Sequence, residues 1–171
     1  RLSEILRSTV PHALNPDSGM LRSVVCLPES ELFTHYVEVP AQVSKNELAA
    51  YIYDDAKQVV PFDLRDMYFD YHVLKGEDGA RNATFVCVKK VDLDNYVEAL
   101  TQASVRPAFV CSELYALGCA VATPSSEGYM VVDIGGHSTT IGVFGTEAIP
   151  LISVKLSVAG EQFTSELMKQ L

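Results

Sequence analysis

The run Val131-Val132-Asp133-Ile134-Gly135-Gly136-His137-Ser138-Thr139-Thr140-Ile141-Gly142-Val143-Phe144 gathers the residue types that handle phosphate. Two glycines let a backbone approach an anion closely and permit positive φ. Successive N–H groups of a tight turn can form a concave anion nest, and Ser138, Thr139 and Thr140 add hydroxyl donors. Asp133, at the end of the first apolar run, is placed to hold Mg²⁺ directly or through its waters. An ordinary hairpin would explain the Asp and the glycines. It would not explain three consecutive hydroxyls where a tight turn wants one or two polar positions.

Elsewhere the chemistry is thin. His12, His35, His72 and His137 are scattered and fit no zinc spacing. Asp54, Asp55, Asp63, Asp66 and Asp70 read as a solvated acidic face, because no EF-hand spacing connects them. Neither a G-x-S-x-G nor a Cys–His pattern offers a nucleophile, so no catalytic residue is assigned. Cys26, Cys87, Cys111 and Cys119 form no CxxC pair, and three of them lie in apolar strand-like runs. They read as buried free thiols of a reducing compartment.

The elements that must position the loop follow from periodicity. Tyr129 to Asp133 and Thr140 to Phe144 are strands flanking the turn, and Ile149 to Val158 supplies another. Gly160 precedes a helix with Phe163, Leu167 and Leu171 in register. Upstream, Ser23 to Leu27 and Leu32 to Val39 read as strands joined by the turn 28–31, most simply as a hairpin. Ser44-Lys45-Asn46-Glu47 is a capping-box pattern opening a helix with Leu48, Ile52, Ala56 and Val59 on one stripe. Met67 to Leu74 and Thr84 to Val88 are strands around a polar hairpin loop. Asp92 then caps a helix with Leu93, Tyr96, Val97, Leu100 and Ala103 on its stripe. Both stripes are expected to bury against one sheet face. Ala108 to Cys111 is a short strand, and Ser112 caps a helix through Leu114, Leu117 and Val121. Leu2, Ile5 and Leu6 have helical spacing, and 12–19 is a loop. Both ends of the chain run mid-pattern and are expected to cut through elements.

Composition sets the outer bounds. The 171 residues carry 13 Lys+Arg against 22 Asp+Glu, a net charge of −9, with 48% apolar and 20% charged residues. That is a globular balance with a real core. It argues against nucleic acid, whose phosphates require clustered cations. No apolar stretch approaches the roughly 20 residues that cross a bilayer.

The motif D-I-G-G-x-S-T-T-x-x-x-F resembles the second phosphate loop of the actin, heat-shock chaperone and sugar-kinase superfamily. Val158-Ala159-Gly160-Glu161-Gln162-Phe163-Thr164 is similar to the strand-to-helix turn that follows it in bacterial actin-like proteins. Leu27-Pro28-Glu29-Ser30, Val37-Glu38-Val39-Pro40, Val59-Val60-Pro61-Phe62-Asp63-Leu64 and Tyr68-Phe69-Asp70-Tyr71-His72-Val73-Leu74 resemble the PilM family of type IV pilus assembly proteins. Order and spacing match over nearly the whole chain. The FtsA division proteins share the architecture and are the neighbouring alternative. A small-molecule kinase of the sugar or acetate kinase type is the alternative from another class. It would need a general base in the cleft, and the chain offers none outside the loop.

The resemblance implies an α/β, actin-like (ribonuclease H-like) fold with an inserted small α/β subdomain, present here as a fragment. Residues 1–40 would be part of the first lobe, 41–111 the insertion, 112–128 the return to that lobe with a linker, and 129–171 the start of the second lobe. It implies a bacterial, cytoplasmic scaffold, peripheral to the inner membrane and touching it only through partners. Those partners would be the N-terminal tail of a PilN-like protein and other pilus assembly proteins. The tail would lie where the Leu32–Val39 strand and the insertion meet the first lobe. ATP with Mg²⁺ would sit between the lobes, against Asp133, Gly135, Gly136, Ser138, Thr139 and Gly160, with Asp133 on the metal. The first phosphate loop is expected before residue 1 and the adenine-binding turn after residue 171. One nucleotide element of three is therefore present, and ATP binding by this chain is expected to be weak or absent. His137 stands where a small residue is usual and would crowd phosphates. Ala159 stands where a glycine is usual.

Overall fold

The computed structural model describes residues 21–75, 81–121 and 127–170. The expected first helix, the loop at 12–19 and most of the polar hairpin loop lie outside them. The described elements are mixed α and β, arranged around three small sheets.

The best-packed unit is a three-stranded antiparallel sheet. Strand β2 (Leu32–Val39) pairs with β4 (Arg81–Lys89), which pairs with β3 (Met67–Lys75), in the order β2-β4-β3. Alternation puts Val37, Met67, Ala83, Phe85 and Cys87 on one face. Helix α1 (Leu48–Val59) covers that face with Leu48, Ile52 and Ala56. Half the capping box forms: the Ser44 N–H donates to Glu47 at 3.1 Å. The helix itself starts one residue past that turn, and Pro61 follows its end. Val37 and Val39 share the core with α1, so a boundary at residue 40 passes between a strand and the helix packed on it.

Two expectations about pairing are corrected. Strands β1 (Leu21–Leu27) and β2 form no hairpin. Instead, β1 runs parallel to β5 (Val105–Ser112), with Cys26 opposite Cys111. The turn at 28–31, closed by the Glu31 N–H on the Pro28 carbonyl at 2.9 Å, only redirects the chain. Strand β2 gains eight register partners on β4 and a buried face under α1, which a local pairing with β1 would forfeit. Pro107 lies inside β5 beside a bulge: Ser23 faces Pro107 and Val24 faces Phe109, which leaves Ala108 as the extra residue. The proline's missing N–H is tolerated there.

The second correction concerns helix α2 (Lys90–Gln102). It does not share the face of α1. Its Leu93 lies with Leu32, Tyr68, Val86 and Val88, which belong to the opposite face of the sheet. Tyr68 Oη donates to Asp94 at 2.9 Å, and Tyr96 Oη donates to Glu31 at 3.1 Å. No α2 side chain is fully buried. The helix follows β4 without a loop, so the chain has no room to cross back over the α1 face.

The third sheet is β6 (Tyr129–Ile134), β7 (Thr139–Phe144) and β8 (Pro150–Leu156), antiparallel in that order. One face packs on helix α3 (Glu113–Val121) through Phe144 and Leu114, both almost wholly buried. Ser112 caps α3 as expected, accepting from the Tyr115 N–H at 3.0 Å. The other face carries Met130, Val132 and Ile134 of β6 beside Val143, Ile152 and Val154, all exposed. Helix α4 (Gly160–Met168) follows β8, with its own Phe163 and Leu167 exposed.

Candidate functional site

The glycine-rich motif folds as strand, turn, strand. Asp133 pairs with Thr140 and Ile134 with Thr139, so Asp133 lies one residue before the end of β6. The turn 135–138 is closed by the Gly135 N–H donating to the Ser138 carbonyl at 3.0 Å. None of its glycines takes the left-handed backbone that the sequence pattern allows for. A Cβ on Gly135 would meet the Ser138 carbonyl at 3.0 Å, whereas Gly136 faces open space. Closeness, and not handedness, is what the first glycine provides.

The turn docks on the start of α4. The Gly160 N–H donates to the Gly135 carbonyl and the Glu161 N–H to the Gly136 carbonyl, each at 2.9 Å. Two amides at the positive end of a helix, natural phosphate donors, are thus engaged by the protein itself. Thr139 Oγ1 donates to the Val158 carbonyl at 2.6 Å from a buried position. Gln162 completes the start of α4: its Oε1 accepts from the Ala159 N–H, and its Nε2 donates to the Ser157 carbonyl, both at 2.8 Å. His137 Nε2 lies 2.9 Å from Glu161 Oε1 on the exposed rim.

The structure therefore brings Asp133, Gly135, Gly136, Ser138, Thr139 and Gly160 together and divides them by role. Gly135, Thr139 and Gly160 hold the turn against α4. Asp133 is exposed, with no partner among the described residues, and the open side of Gly136 and the Ser138 hydroxyl remain available. Register adds one residue that the motif did not suggest: Lys155 on β8 lies opposite Thr140, which lies opposite Asp133. That row sets a carboxylate, a hydroxyl and an ammonium on one sheet face. Among the described residues no group of three or more His, Cys, Asp or Glu side chains is arranged to hold a metal ion by itself.

A second feature is a cleft between the sheets. The α2-side face of the β2-β4-β3 sheet stands opposite β5, the start of α3 and the residues leading into β8. It encloses a cavity of about 240 Å³ lined by Thr34, His72, Val86, Val110, Tyr115 and Pro150, among others. A neighbouring cavity of about 200 Å³ shares Asp70, Val86, Val110, Cys111 and Ser112 with it and extends toward Leu27 and Leu93. Thr84 Oγ1 reaches the Pro150 carbonyl at 3.5 Å inside the cleft, and His72 Nε2 meets Glu147 Oε2 at 2.9 Å at its edge. Beside the cleft, burial raises the Glu29 carboxyl above its ordinary range. Its Oε1 is buried without a partner, although Ser112 and the Leu114 backbone bond to the group.

Residues 2–171 match the sequence profile of the type IV pilus assembly protein PilM family. This chain belongs to the PilM family. Among solved structures, a chain of a PilM–PilN type IV pilus biogenesis complex superposes with a TM-score of 0.76 at 19% identity, covering 99% of this chain and 52% of that one. The cytoplasmic domain of EpsL, an inner membrane component of the type II secretion system of Vibrio cholerae, gives 0.64 at 20% identity, covering 96% and 59%. The PilM-family chain thus spans little more than half the length of either. At these identities the likeness establishes fold: the actin-like α/β class read from the loop is the fold of this chain. Among the described residues, no helix is long and apolar enough to cross a membrane.

Proposed function

We propose that this PilM-family chain is a binding scaffold of the type IV pilus assembly machinery that seats the N-terminal tail of a PilN-like partner in the cleft between the β2-β4-β3 sheet and β5. The cleft carries this reading. It is apolar at Val86 and Val110 and polar at Thr34, Asp70 and His72, a combination that suits an extended peptide with one or two apolar anchors. The net charge of −9 favours a tail with a basic or free amino end. The likeness to a chain solved in a PilM–PilN complex supports the choice of partner. Through that partner the chain would sit at the cytoplasmic side of the inner membrane, alongside other pilus assembly proteins.

The glycine turn is read as one phosphate element of a nucleotide cleft, and the residues left free there fit that use. Asp133 would hold a Mg²⁺ hydration shell, while Ser138 and the open side of Gly136 would face phosphate. ATP with Mg²⁺, held there, would supply phosphate oxygens for Ser138 and the Gly136 side of the turn and a cation for Asp133. Gly135, Thr139 and Gly160 serve the site by fixing the turn. Photo-cross-linking maps the peptide seat: a tail peptide carrying a photoreactive residue at its apolar anchor should label β4 and β5 near Val86 and Val110. Labelling confined to the exposed β6–β8 face would contradict the proposal.

A further inference from the structure

The cysteines depart from the buried, inert set that the sequence suggests. Cys87 is fully buried, but Cys26 and Cys119 are exposed and Cys111 is half-buried. Cys26 and Cys111 are direct register partners on the parallel strands β1 and β5, and their sulfurs lie 3.8 Å apart. Eighty-five residues separate them in sequence, so the fold alone brings them together.

We propose that Cys26 and Cys111 are a reversible thiol–disulfide site, closed by a low-molecular-weight disulfide such as oxidised glutathione. Paired strands lie about 4.8 Å apart, inside the roughly 4.4–6.8 Å that disulfides span between Cα atoms. Side-chain rotation can therefore close the sulfur gap with the strands in place. Cys26 is the exposed member and meets the oxidant first. Its thiol gives up a proton, and the thiolate attacks one glutathione sulfur. The glutathione S–S bond breaks, and one glutathione leaves as thiolate and takes up a proton. Cys111 then attacks the Cys26 sulfur of the mixed disulfide, also losing its proton. The second glutathione leaves and is protonated in turn. Two protein thiols are oxidised to one disulfide, and one glutathione disulfide is reduced to two thiols.

The surroundings fit this order of events. Burial and the bond to Cys26 push the Cys111 thiol up to about 11, so Cys111 is not the thiol that attacks a solvent-borne oxidant first; its place 3.8 Å from Cys26 across paired strands makes it the resolving thiol. A bond between neighbouring strands on an accessible surface belongs to the labile, reducible kind. Cys119 is the competing thiol, exposed and hydrogen-bonded to Tyr115. Cys87, held at about 11 by burial, is an internal control. Cys111 also lines the cleft.

The test is oxidation of the whole chain with glutathione disulfide, followed by alkylation, proteolysis and mass spectrometry. The expected result is a peptide linking Cys26 to Cys111, with alkylation lost at both sites together and restored by dithiothreitol. A Cys111→Ser chain should instead keep a glutathione adduct on Cys26. Full alkylation of Cys26 and Cys111 after treatment that modifies Cys119, or a link from Cys119 to either, would overturn the proposal. The wild-type measurement stands even if the variant fails to fold.

Discussion

Thr139 donates from a buried hydroxyl to the Val158 carbonyl at 2.6 Å and so ties the turn to the chain entering α4. Thr139→Val keeps the shape but strands that carbonyl. It should cost about 1–2 kcal/mol in urea denaturation, with Thr139→Ser close to wild type. The glycines separate in the same way. At Gly118 a Cβ would stand 2.6 Å from Phe144 Cε1 and 2.8 Å from the Ala148 carbonyl. Because the carbonyl is backbone, Gly118→Ala should destabilise by about 1–3 kcal/mol. At Gly160 the nearest atom would be 3.4 Å away, the Gly135 carbonyl, an ordinary contact. Gly160→Ala should therefore be neutral or gain about 0.5 kcal/mol through a stiffer unfolded chain. A large loss at 160, measured by thermal melting, would show that the turn is held differently.

Between elements, Glu29 ties stability to pH through its burial. It lies in the β1–β2 turn, bonds to Ser112 and the Leu114 backbone at the start of α3, and reaches Ser153 on β8. Burial outweighs those bonds and raises its folded-state pKa above the ordinary carboxyl value. A raised acid favours the fold while protonated. Its contribution is complete below the ordinary glutamate pKa of 4.5 and is lost as pH rises through the raised value. Glu29→Gln should therefore raise the midpoint of thermal unfolding at neutral pH and flatten its fall from acid to neutral. An unchanged pH profile would count against a buried carboxylate at this junction. The elements differed in how readily the chain declared them. The α1 stripe at Leu48, Ile52 and Ala56 was readable because helical period and burial are local properties, and β3 with β4 were readable from alternation around a polar turn. The partner of β1 was not, because a short turn leaves open whether the next strand pairs locally, and β5 lies some eighty residues on. The same blindness hid the exposure of Cys26 and the row from Asp133 to Lys155, both of which are facts of register.

Over the whole molecule, the loop was legible because glycines and hydroxyls cluster in sequence. Its engagement with α4 was not, since hydrogen bonds from Gly160 and Glu161 to the turn leave no mark on composition. That engagement bears on nucleotide. With two helix amides occupied and Glu161 on the rim, the chain offers phosphate only part of a site. Calorimetry with millimolar ATP and Mg²⁺ should show weak binding or none, and micromolar affinity would mean that the turn opens. The cleft was the least legible feature, being assembled from β3, β4, β5 and the approach to β8. Its direct test is fluorescence polarisation with a labelled N-terminal tail peptide of a PilN-like protein, titrated with the native chain and with Val86→Trp, which fills the space shared by both cavities. Micromolar binding by the native chain, lost in a folded Val86→Trp variant and unaffected by ATP, is the predicted result. Equal binding by both chains, or no binding by either this chain or a longer PilM-family protein, would contradict the cleft as the partner's seat.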